Sequence, residues 1–434
     1  MTNVDSEGYT RQRVDTYAVG SSGYGMRYAS STTGLVGEGV EIRGISQLRD
    51  PYLDVRYRRE HAQMGDANAQ LEGLTDLGYL FDSATEDGFA EQFSDLVTQL
   101  QSLAKQPTDT VSENIVKTSA GMLVQMFNNT ADQLSVIREQ QVVSLRDGVI
   151  QNANECIKNI AKMNAAIKSA SVSGDPALEL LDQRNLLIDQ LSQAVNIEVT
   201  TKNVDVGSGV QVPELSINMI GTDGEKINLV NNDQYAEFSF SMDDTTGKAS
   251  VFLSHTDGTP VGSTNSGTAL PFGDVTNQFT TGAFNGYLKV LNDKGEFGTP
   301  PSQERGIAYY EEMMNSIARE FASVMNQANS TETQEKPLFA SKDSGIITAK
   351  NICISEAWKN SDATYVTNTK KEAQPGMSNE DDAENILYMI SLFSSKQEFK
   401  TETGVAFNGT FQEGITHISS TLGLGLKDVT RQSK

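Results

Sequence analysis

Few of the residues on which catalytic and metal centres depend are present in this sequence. Its 434 residues include 2 cysteines, 3 histidines and 1 tryptophan. Cys156 and Cys353 are too few for a disulfide framework and lack the spacing of metal ligands. The histidines stand singly, at His61, His255 and His417. We therefore expect no metal, no cofactor and no enzymatic activity, although the many carboxylates leave a paired-carboxylate hydrolase open.

Basic charge and long apolar runs are also scarce. Lys plus Arg number 34 against 57 Asp plus Glu, which gives a net charge of −23. Such a chain is poorly suited to bind nucleic acid or an anionic lipid surface. No run of about 18 apolar residues occurs, so no membrane-spanning helix is predicted. Residues 1–7 contain neither the basic nor the apolar part of a secretory signal. We expect neither nucleic acid nor a membrane among the partners.

Hydrophobic residues make up 37% of the chain and aromatic residues 7%. At about 100–200 residues per domain, the length predicts two to four domains, and the lean composition favours elongated domains with thin cores. Helical patterns at both ends flank a central stretch of period-two alternation. The predicted fold class is α+β: an elongated, multi-domain chain with a long antiparallel helical bundle and a small inserted antiparallel β domain.

The patterns divide the chain into six predicted segments. They are an extended N-terminal segment joining the helical domain (1–42), the first part of the long-helix bundle (43–196), the inserted β domain (197–299), a returning bundle helix (300–330), a mixed β and loop segment (331–380) and the C-terminal helices of the bundle (381–434).

Helix boundaries are marked by capping residues and prolines. Asp50 and Pro51 form a cap and a first helical residue, and Gly174-Asp175-Pro176 repeats that pattern. Between Pro107 and Pro176, the apolar spacing predicts a helix of about 55 residues. Another helix is predicted from Ser302. Apolar residues seven apart predict heptad seams formed by Tyr57, Met64 and Leu71 with Ala67, Leu74 and Phe81, and by Val149, Cys156 and Met163 with Ala153, Ile160 and Ile167.

Five short segments carry recognisable motifs. They are Gly8-Tyr9-Thr10-Arg11-Gln12-Arg13-Val14, Val40 to Leu53, Glu179 to Asp189, Gly286-Tyr287-Leu288 and Pro337-Leu338-Phe339-Ala340. Together, in this order and spacing, they resemble the flagellar hook-associated protein 1 family. Members of that family have a further apolar helix at each end. Since neither helix is present here, we expect this chain to lack the terminal coiled-coil segments.

The resemblance implies a flagellin-like bundle and a structural role at the junction between the hook and the filament of the bacterial flagellum. The subunit would act there as a mechanical adaptor. It implies as partners other copies of the chain in helical tiers, the hook protein, the second junction protein and an export chaperone whose site would lie in the missing C-terminal segment. It also implies an extracellular location reached without a cleaved signal peptide. The alternatives are another axial protein, such as a divergent flagellin or the second junction protein, a surface-exposed adhesive module, or a cell-wall hydrolase.

Residues 1–60 contain eight arginines, eight acidic residues and no lysine, so the whole excess of negative charge lies in 61–434. Arginine is favoured at protein interfaces because its planar guanidinium pairs bidentately with carboxylates. Local salt bridges on a solvated helix are the alternative interpretation. From this segment and the family motifs we predict a subunit or domain interface comprising Gly8, Tyr9, Arg11, Gln12, Arg49, Asp50, Arg56, Asp182, Gln183 and Arg184.

The isolated cysteines and histidines have simpler expected roles. Cys156 lies on a predicted seam, where a buried small hydrophobic residue is expected. Cys353 lies in a predicted strand as an inert thiol. We expect His61 on a solvated helix face, His255 in a turn and His417 on the last helix.

Overall fold

The computed structural model describes residues 8–19, 39–84, 88–205, 211–243, 246–256, 273–361, 363–371, 379, 381–400 and 404–433. Residues 20–38 of the predicted N-terminal segment, where Gly20, Gly23 and Gly34 suggest turns, and residues 257–272 of the predicted β domain lie outside these ranges. The described chain combines long helices with small antiparallel sheets, so the α+β prediction is confirmed.

The chain forms two compact units, each discontinuous in sequence. The first unit comprises Met1–Gln63, Ile150–Ser239 and Val251–Gly282, and the second comprises Met64–Val149, Phe240–Ser250 and Ala283–Lys434. These units are defined by packing, whereas the six predicted segments were defined by sequence pattern. The boundaries of those segments stay predictions.

Helices account for most of the regular structure. They are α1 (Pro51–Ala84), α2 (Ala90–Lys105), α3 (Thr110–Val143), a π-helical turn (Ser144–Ile150), α4 (Gln151–Val172), α5 (Leu178–Ala194), α6 (Ala283–Asn292), α7 (Ile307–Asn329), α8 (Glu356–Lys359), α9 (Glu384–Ser394) and α10 (Phe411–Gln432).

The strands form one larger sheet and three two-stranded ribbons. They are β1 (Gln12–Ala18), β2 (Val40–Gln47), β3 (Ile197–Asp205), β4 (Gln211–Ile220), β5 (Lys226–Asn231), β6 (Gln234–Met242), β7 (Ala249–His255), β8 (Gly273–Asp274), β9 (Phe339–Ser341), β10 (Ile352–Ile354), β11 (Gln397–Lys400) and β12 (Val405–Gly409). Strands β3 to β8 lie in sequence order in the sheet, and the ribbons pair β1 with β2, β9 with β10 and β11 with β12.

Helix starts agree with the sequence in one case and differ in two. Helix α1 begins at Pro51, and Asp50 Oδ1 accepts a hydrogen bond from the amide of Tyr52 at 2.9 Å, as a cap should. Helix α5 begins at Leu178, two residues later than predicted, because Asp175 Oδ1 binds the amide of Ala177 in a separate turn. Helix α7 likewise begins at Ile307 instead of Ser302.

Each predicted heptad seam consists of two sets of three residues, and only one set of each seam is fully buried. Ala67 and Phe81 lie in the core, whereas the side chain of Tyr57 is 53% exposed. On α4, Ile160 is buried and Cys156 is half-buried, so the predicted burial of this thiol is only partly correct. The α-helix repeats every 3.6 residues, so it drifts away from a strict seven-residue row.

Two stretches were assigned to the wrong kind of structure. Residues 283–292, placed in the predicted β domain, form α6, which belongs to the second unit. Helix α6 has only ten residues, seven of them buried, and so short an apolar run is hard to tell from a strand by its pattern. Strands β11 and β12 occur where only C-terminal helices were predicted.

The core of the second unit is built around α7. Its apolar face, from Ile307 to Met325, is buried. Phe321 lies at the centre of an aromatic cluster, with ring centroids 4.9 Å from Phe339 and 5.6 Å from Phe411. Such aromatic contacts, edge-to-face between Phe321 and Phe411, add to the stabilisation from burial itself.

Helices α1 and α6 approach each other unusually closely in the second unit. A Cβ atom on Gly286 would lie 2.4 Å from the carbonyl oxygen of Asp66, and one on Gly73 would lie 2.5 Å from Val290. The approach lets Asn285 Nδ2 donate to Asp66 Oδ2 at 2.8 Å in a buried position. Only glycine permits this separation.

Gly286→Ala is expected to lower the free energy of unfolding by about 1–3 kcal/mol, because the added methyl group forces the two helices apart. Urea unfolding followed by circular dichroism measures the change. Gly121→Ala in α3 is the matched control, since among the described residues nothing outside its own stretch of helix lies within 4 Å of the added Cβ. There, helix propensity predicts a gain of about 0.5–1 kcal/mol. Equal effects of the two substitutions would contradict the role of the close approach.

His417 lies on α10, as predicted, in a partly buried aromatic site. Its ring stacks on Phe407 with centroids 4.5 Å apart, and its Nε2 lies 3.4 Å from the hydroxyl of Tyr309. Burial, with a smaller contribution from Arg305, lowers the pKa of His417 below its ordinary value. The folded chain therefore holds a neutral imidazole at pH values where the unfolded chain already binds a proton.

This lowered pKa predicts a stability that is full above the ordinary histidine pKa of about 6.5 and falls as the pH decreases through the lower pKa of the folded chain. His417→Phe, which keeps a ring against Phe407, should lose this part of the pH dependence. Thermal unfolding of both proteins between about pH 5 and pH 8 tests the expectation. Parallel curves for the two proteins over that range would disprove it.

Candidate assembly surface

The β1–β2 ribbon of the first unit has one apolar face. Antiparallel partners point their side chains to the same side of a ribbon. The partners on this side are Val14 with Ile45, Thr16 with Ile42, and Ala18 with Val40, and we call these six residues the ribbon face. All six are exposed.

A β-bulge determines which residues belong to the ribbon face. The register shifts between Asp15 and Thr16, so that Arg43 is an extra residue of β2 without a partner on β1. Ile45 and Ile42 are three apart and would point to opposite sides of a regular strand. The extra residue brings both to the same side, and this accounts for the irregular alternation in the sequence.

The opposite side of the ribbon is polar and internally paired. The hydroxyl of Tyr17 donates to Glu41 Oε2 at 2.6 Å, and Arg13 Nε donates to Asp15 Oδ1 at 2.9 Å. Hydrogen bonding to Glu41 raises the pKa of the Tyr17 phenol. The ribbon is therefore amphipathic, with its apolar side uncovered.

Exposed apolar side chains continue from the ribbon into the start of α1. Of the 25 large hydrophobic residues that are exposed in the described ranges, 11 lie between Tyr9 and Tyr57. Beyond the ribbon itself they include Leu48, Tyr52, Leu53 and Val55. Exposed apolar side chains that stand singly are common, but a concentration of this kind marks an interaction surface.

Helix α5 holds one end of the ribbon, where β1 begins and β2 ends. The amide of Thr10 donates to Asp182 Oδ2 at 3.3 Å, and Gln47 Nε2 donates to the carbonyl of Leu178 at 2.9 Å. Gly8, in a left-handed conformation with φ of 79°, lies against Leu186. The first and third family motifs therefore meet in the first unit.

Asp189 of α5 joins the start of α1 to the same helix. Its carboxylate accepts from Arg58 Nε at 2.7 Å and from Arg49 Nη2 at 3.4 Å, and Arg49 also pairs with Asp54 at 2.6 Å. His61 Nδ1 lies 3.0 Å from the carbonyl oxygen of Asp189. The expectation that His61 lies on a solvated face was therefore wrong, because α5 covers it.

Two charged residues of the third motif are buried in α5. Arg184 Nη1 donates to Asn164 Oδ1 at 2.9 Å, and burial, assisted by the charge of Arg58, lowers the pKa of Arg184 to about 10. Among the described residues, Asp182 Oδ1 and Arg184 Nε have no hydrogen-bond partner. Family motifs alone had brought both residues into the predicted interface, and no periodicity in the sequence indicates their burial.

The ten predicted interface residues thus fall into two groups. Gly8, Arg49, Asp50, Asp182 and Arg184 make the contacts within the first unit described above. The others are exposed: Tyr9, Arg11, Gln12, Arg56 and Gln183. Sequence analysis missed the ribbon face, Arg58 and Asp189. For the ribbon face a signal was present in the valine and the two isoleucines of Val40-Glu41-Ile42-Arg43-Gly44-Ile45.

The remaining candidate residues have structural surroundings. Burial raises the pKa of both Cys156 and Cys353, which keeps each thiol protonated and unreactive. His255 ends β7 and is buried, so its expected place in a turn was wrong by one residue. In the described ranges, three or more His, Cys, Asp or Glu side chains nowhere cluster as a metal site. None of the helices in those ranges is long and apolar enough to cross a membrane.

The exposed ribbon face and the apolar side chains beside it form a surface suited to contact with other protein. A family model described as the helical domain of flagellar hook-associated protein FlgK matches residues 74–336, more than half of the chain. The chain belongs to this family, which consists of structural proteins of the bacterial flagellum.

Similar proteins carry the same description. Flagellar hook-associated protein 1 of Bacillus subtilis is 23% identical over 337 residues, which cover 76% of this chain and 62% of that protein. The protein of that name from Escherichia coli is 28% identical over 219 residues, or 48% of this chain and 38% of that one. The solved flagellar hook junction protein FlgK of Burkholderia pseudomallei is 19% identical, with a TM-score of 0.48, over 67% of this chain and 45% of that chain. The chain therefore spans less than two thirds of the length of each.

Asp189→Asn is expected to lower the free energy of unfolding by about 2–3 kcal/mol, because it leaves Arg58, whose side chain is 8% exposed, without its anionic partner. Amide hydrogen exchange over residues 51–62 should accelerate. Asp147→Asn is the matched control: Asp147 pairs with Arg146 at 2.8 Å, but both side chains are about half exposed, so about 0–1 kcal/mol is expected. A loss at Asp189 no larger than at Asp147 would refute the role of Asp189.

Proposed function

We propose that this chain is part of a structural subunit that forms the junction between the hook and the filament of a bacterial flagellum. The subunit acts as a mechanical adaptor between these two segments. Membership of the hook-associated family and the names of the similar proteins support this assignment. The observation that carries it is the exposed ribbon face of the first unit.

The ribbon face needs a protein partner to be stable in its exposed position. A lone two-stranded ribbon is marginally stable in water, and burial of apolar surface contributes roughly 25 cal/mol per Å². Contacts with α5 hold one end of the ribbon, at Thr10 and Gln47, while its middle is uncovered. A neighbouring subunit in a helical tier would cover the middle and lower the free energy of the assembled state.

The proposed partners follow from this role. They are other copies of the chain, the hook protein, the second junction protein and the flagellar export chaperone. The proposed location is the extracellular flagellum, reached by export without a cleaved signal peptide. Within the first unit, the exposed residues Tyr9, Arg11, Gln12, Arg56 and Gln183 are proposed to contribute the polar rim of the contact, where arginine pairs well with carboxylates.

Val14→Lys in the full-length protein is expected to reduce the number of hooks that carry filaments, and swimming with it, because a charge replaces an apolar contact on the ribbon face. Counting filaments by electron microscopy in cells that lack the wild-type protein measures the effect. Tyr17→Lys is the matched control. Tyr17 is 48% exposed against 50% for Val14 but lies on the polar side, opposite Glu41.

Normal filaments with Val14→Lys, or an equal loss with Tyr17→Lys, would exclude the ribbon face as the subunit contact. Circular dichroism of both purified variants separates a loss of assembly from a loss of folding. If filaments form normally but adhesion to a surface is lost, the chain is an adhesive module and the proposal fails.

A further inference from the structure

Five polar side chains from three helices meet in the second unit. Glu72 and Asp76 lie one turn apart on α1, where residues i and i+4 are neighbours. Gln141 Nε2 donates to Asp76 Oδ2 at 3.0 Å, and the hydroxyl of Tyr287 on α6 donates to Glu72 Oε2 at 2.7 Å. Ser144 Oγ lies 3.4 Å from Glu72 Oε1. We call these five residues the α1 acidic site.

The two carboxylates of the α1 acidic site lack a counter-charge. Neither forms an ion pair with any residue in the described ranges. Burial and the nearby charge of Glu72 raise the pKa of Asp76, while the hydrogen bond from Gln141 opposes that shift. A pair of like charges in a partly buried place is unfavourable until a cation neutralises it.

One oxygen atom at this place also lacks a hydrogen-bond partner. Gln141 is 1% exposed, and its Oε1 has no partner among the described residues. Its amide is fixed at the site, since Nε2 is bonded to Asp76, and Oε1 lies 3.3 Å from the position of a Cβ on Gly73, the residue next to Glu72. A buried polar atom left without a partner costs about 1–3 kcal/mol. A bound cation would supply the missing partner.

We propose that the α1 acidic site binds a calcium ion through the carboxylates of Glu72 and Asp76, the amide oxygen of Gln141 and the hydroxyl of Ser144. Calcium takes six to eight oxygen ligands, including amide carbonyls and water, in flexible geometry, whereas magnesium requires a stricter octahedron. A charge of +2 balances the two carboxylates. Ser144 begins the π-helical turn that follows α3, and such turns re-aim side chains and occur often at functional sites.

Calcium binding is tested on the whole chain with terbium, which replaces calcium and emits when a nearby tyrosine absorbs. Saturable emission that calcium displaces is expected, and Tyr287→Phe should remove most of it, since Tyr287 is the tyrosine at the site. Calcium at about 100 times its dissociation constant should raise the Tm by a few degrees. An equal Tm shift with magnesium, or emission unchanged by Tyr287→Phe, would overturn the proposal.

Asp76→Asn keeps an oxygen to accept from Gln141 but removes a charge, so calcium affinity measured by titration calorimetry should fall about ten-fold or more. Glu139→Gln, an exposed acidic residue of α3 close in sequence to Gln141, is the matched control and should bind like the wild type. Should Asp76→Asn fail to fold by circular dichroism, Glu72→Gln, at an exposed position, replaces it with the same expected loss. Equal affinity in the wild type and the folded site variant would refute the site.

Discussion

The packing of the second unit depends on the absence of a side chain at the crossing of α1 and α6. With glycine at 73 and 286, the two backbones come within reach of each other, and a buried hydrogen bond between Asp66 and Asn285 forms beside the contact. The same crossing places Tyr287 on Glu72. The burial of α6 and the position of the polar residues along α1 therefore both follow from the close approach of these two helices at Gly73 and Gly286.

The charged residues near the start of α1 divide into those that are paired within the first unit and those that are exposed. The arginines near the start of α1 are not all available to partners, because Arg49 and Arg58 converge on Asp189 within the first unit. Ion pairing within the chain thus accounts for Arg49 and Arg58, while the interface interpretation stays a prediction for the exposed arginines. The exposed surface near this cluster is apolar along the ribbon and α1, and charged side chains such as Arg56 border it.

Sequence analysis predicted the long helices well because a helix with one buried face repeats visibly, as α2 and α7 do, and because Asp50 and Pro51 mark a start by local chemistry. It failed where burial depends on distant parts of the chain. Helix α6 is buried partly by distant contacts, such as that of Asn285 with Asp66, and its ten residues are too few to tell a helical period from a short apolar strand. Ala177 adopts a left-handed conformation that its residue type does not indicate. For the candidate surface, the motifs located α5 and the first strand, but only coordinates could show that Asp189 accepts from two arginines.

The bulge at Arg43 has a consequence for how this part of the chain can change. If Arg43 were taken into regular pairing instead of forming the bulge, Ile42 and Val40 would turn away from Ile45 and Glu41 would come onto the apolar side. Removal of Arg43 would instead leave Ile42 and Ile45 two positions apart, on the same side of a regular strand. The apolar side can therefore exist in two forms of β2, one with the extra residue in a bulge and one that is regular and one residue shorter, so a deletion at Arg43 would shorten the strand without changing which side chains share a face.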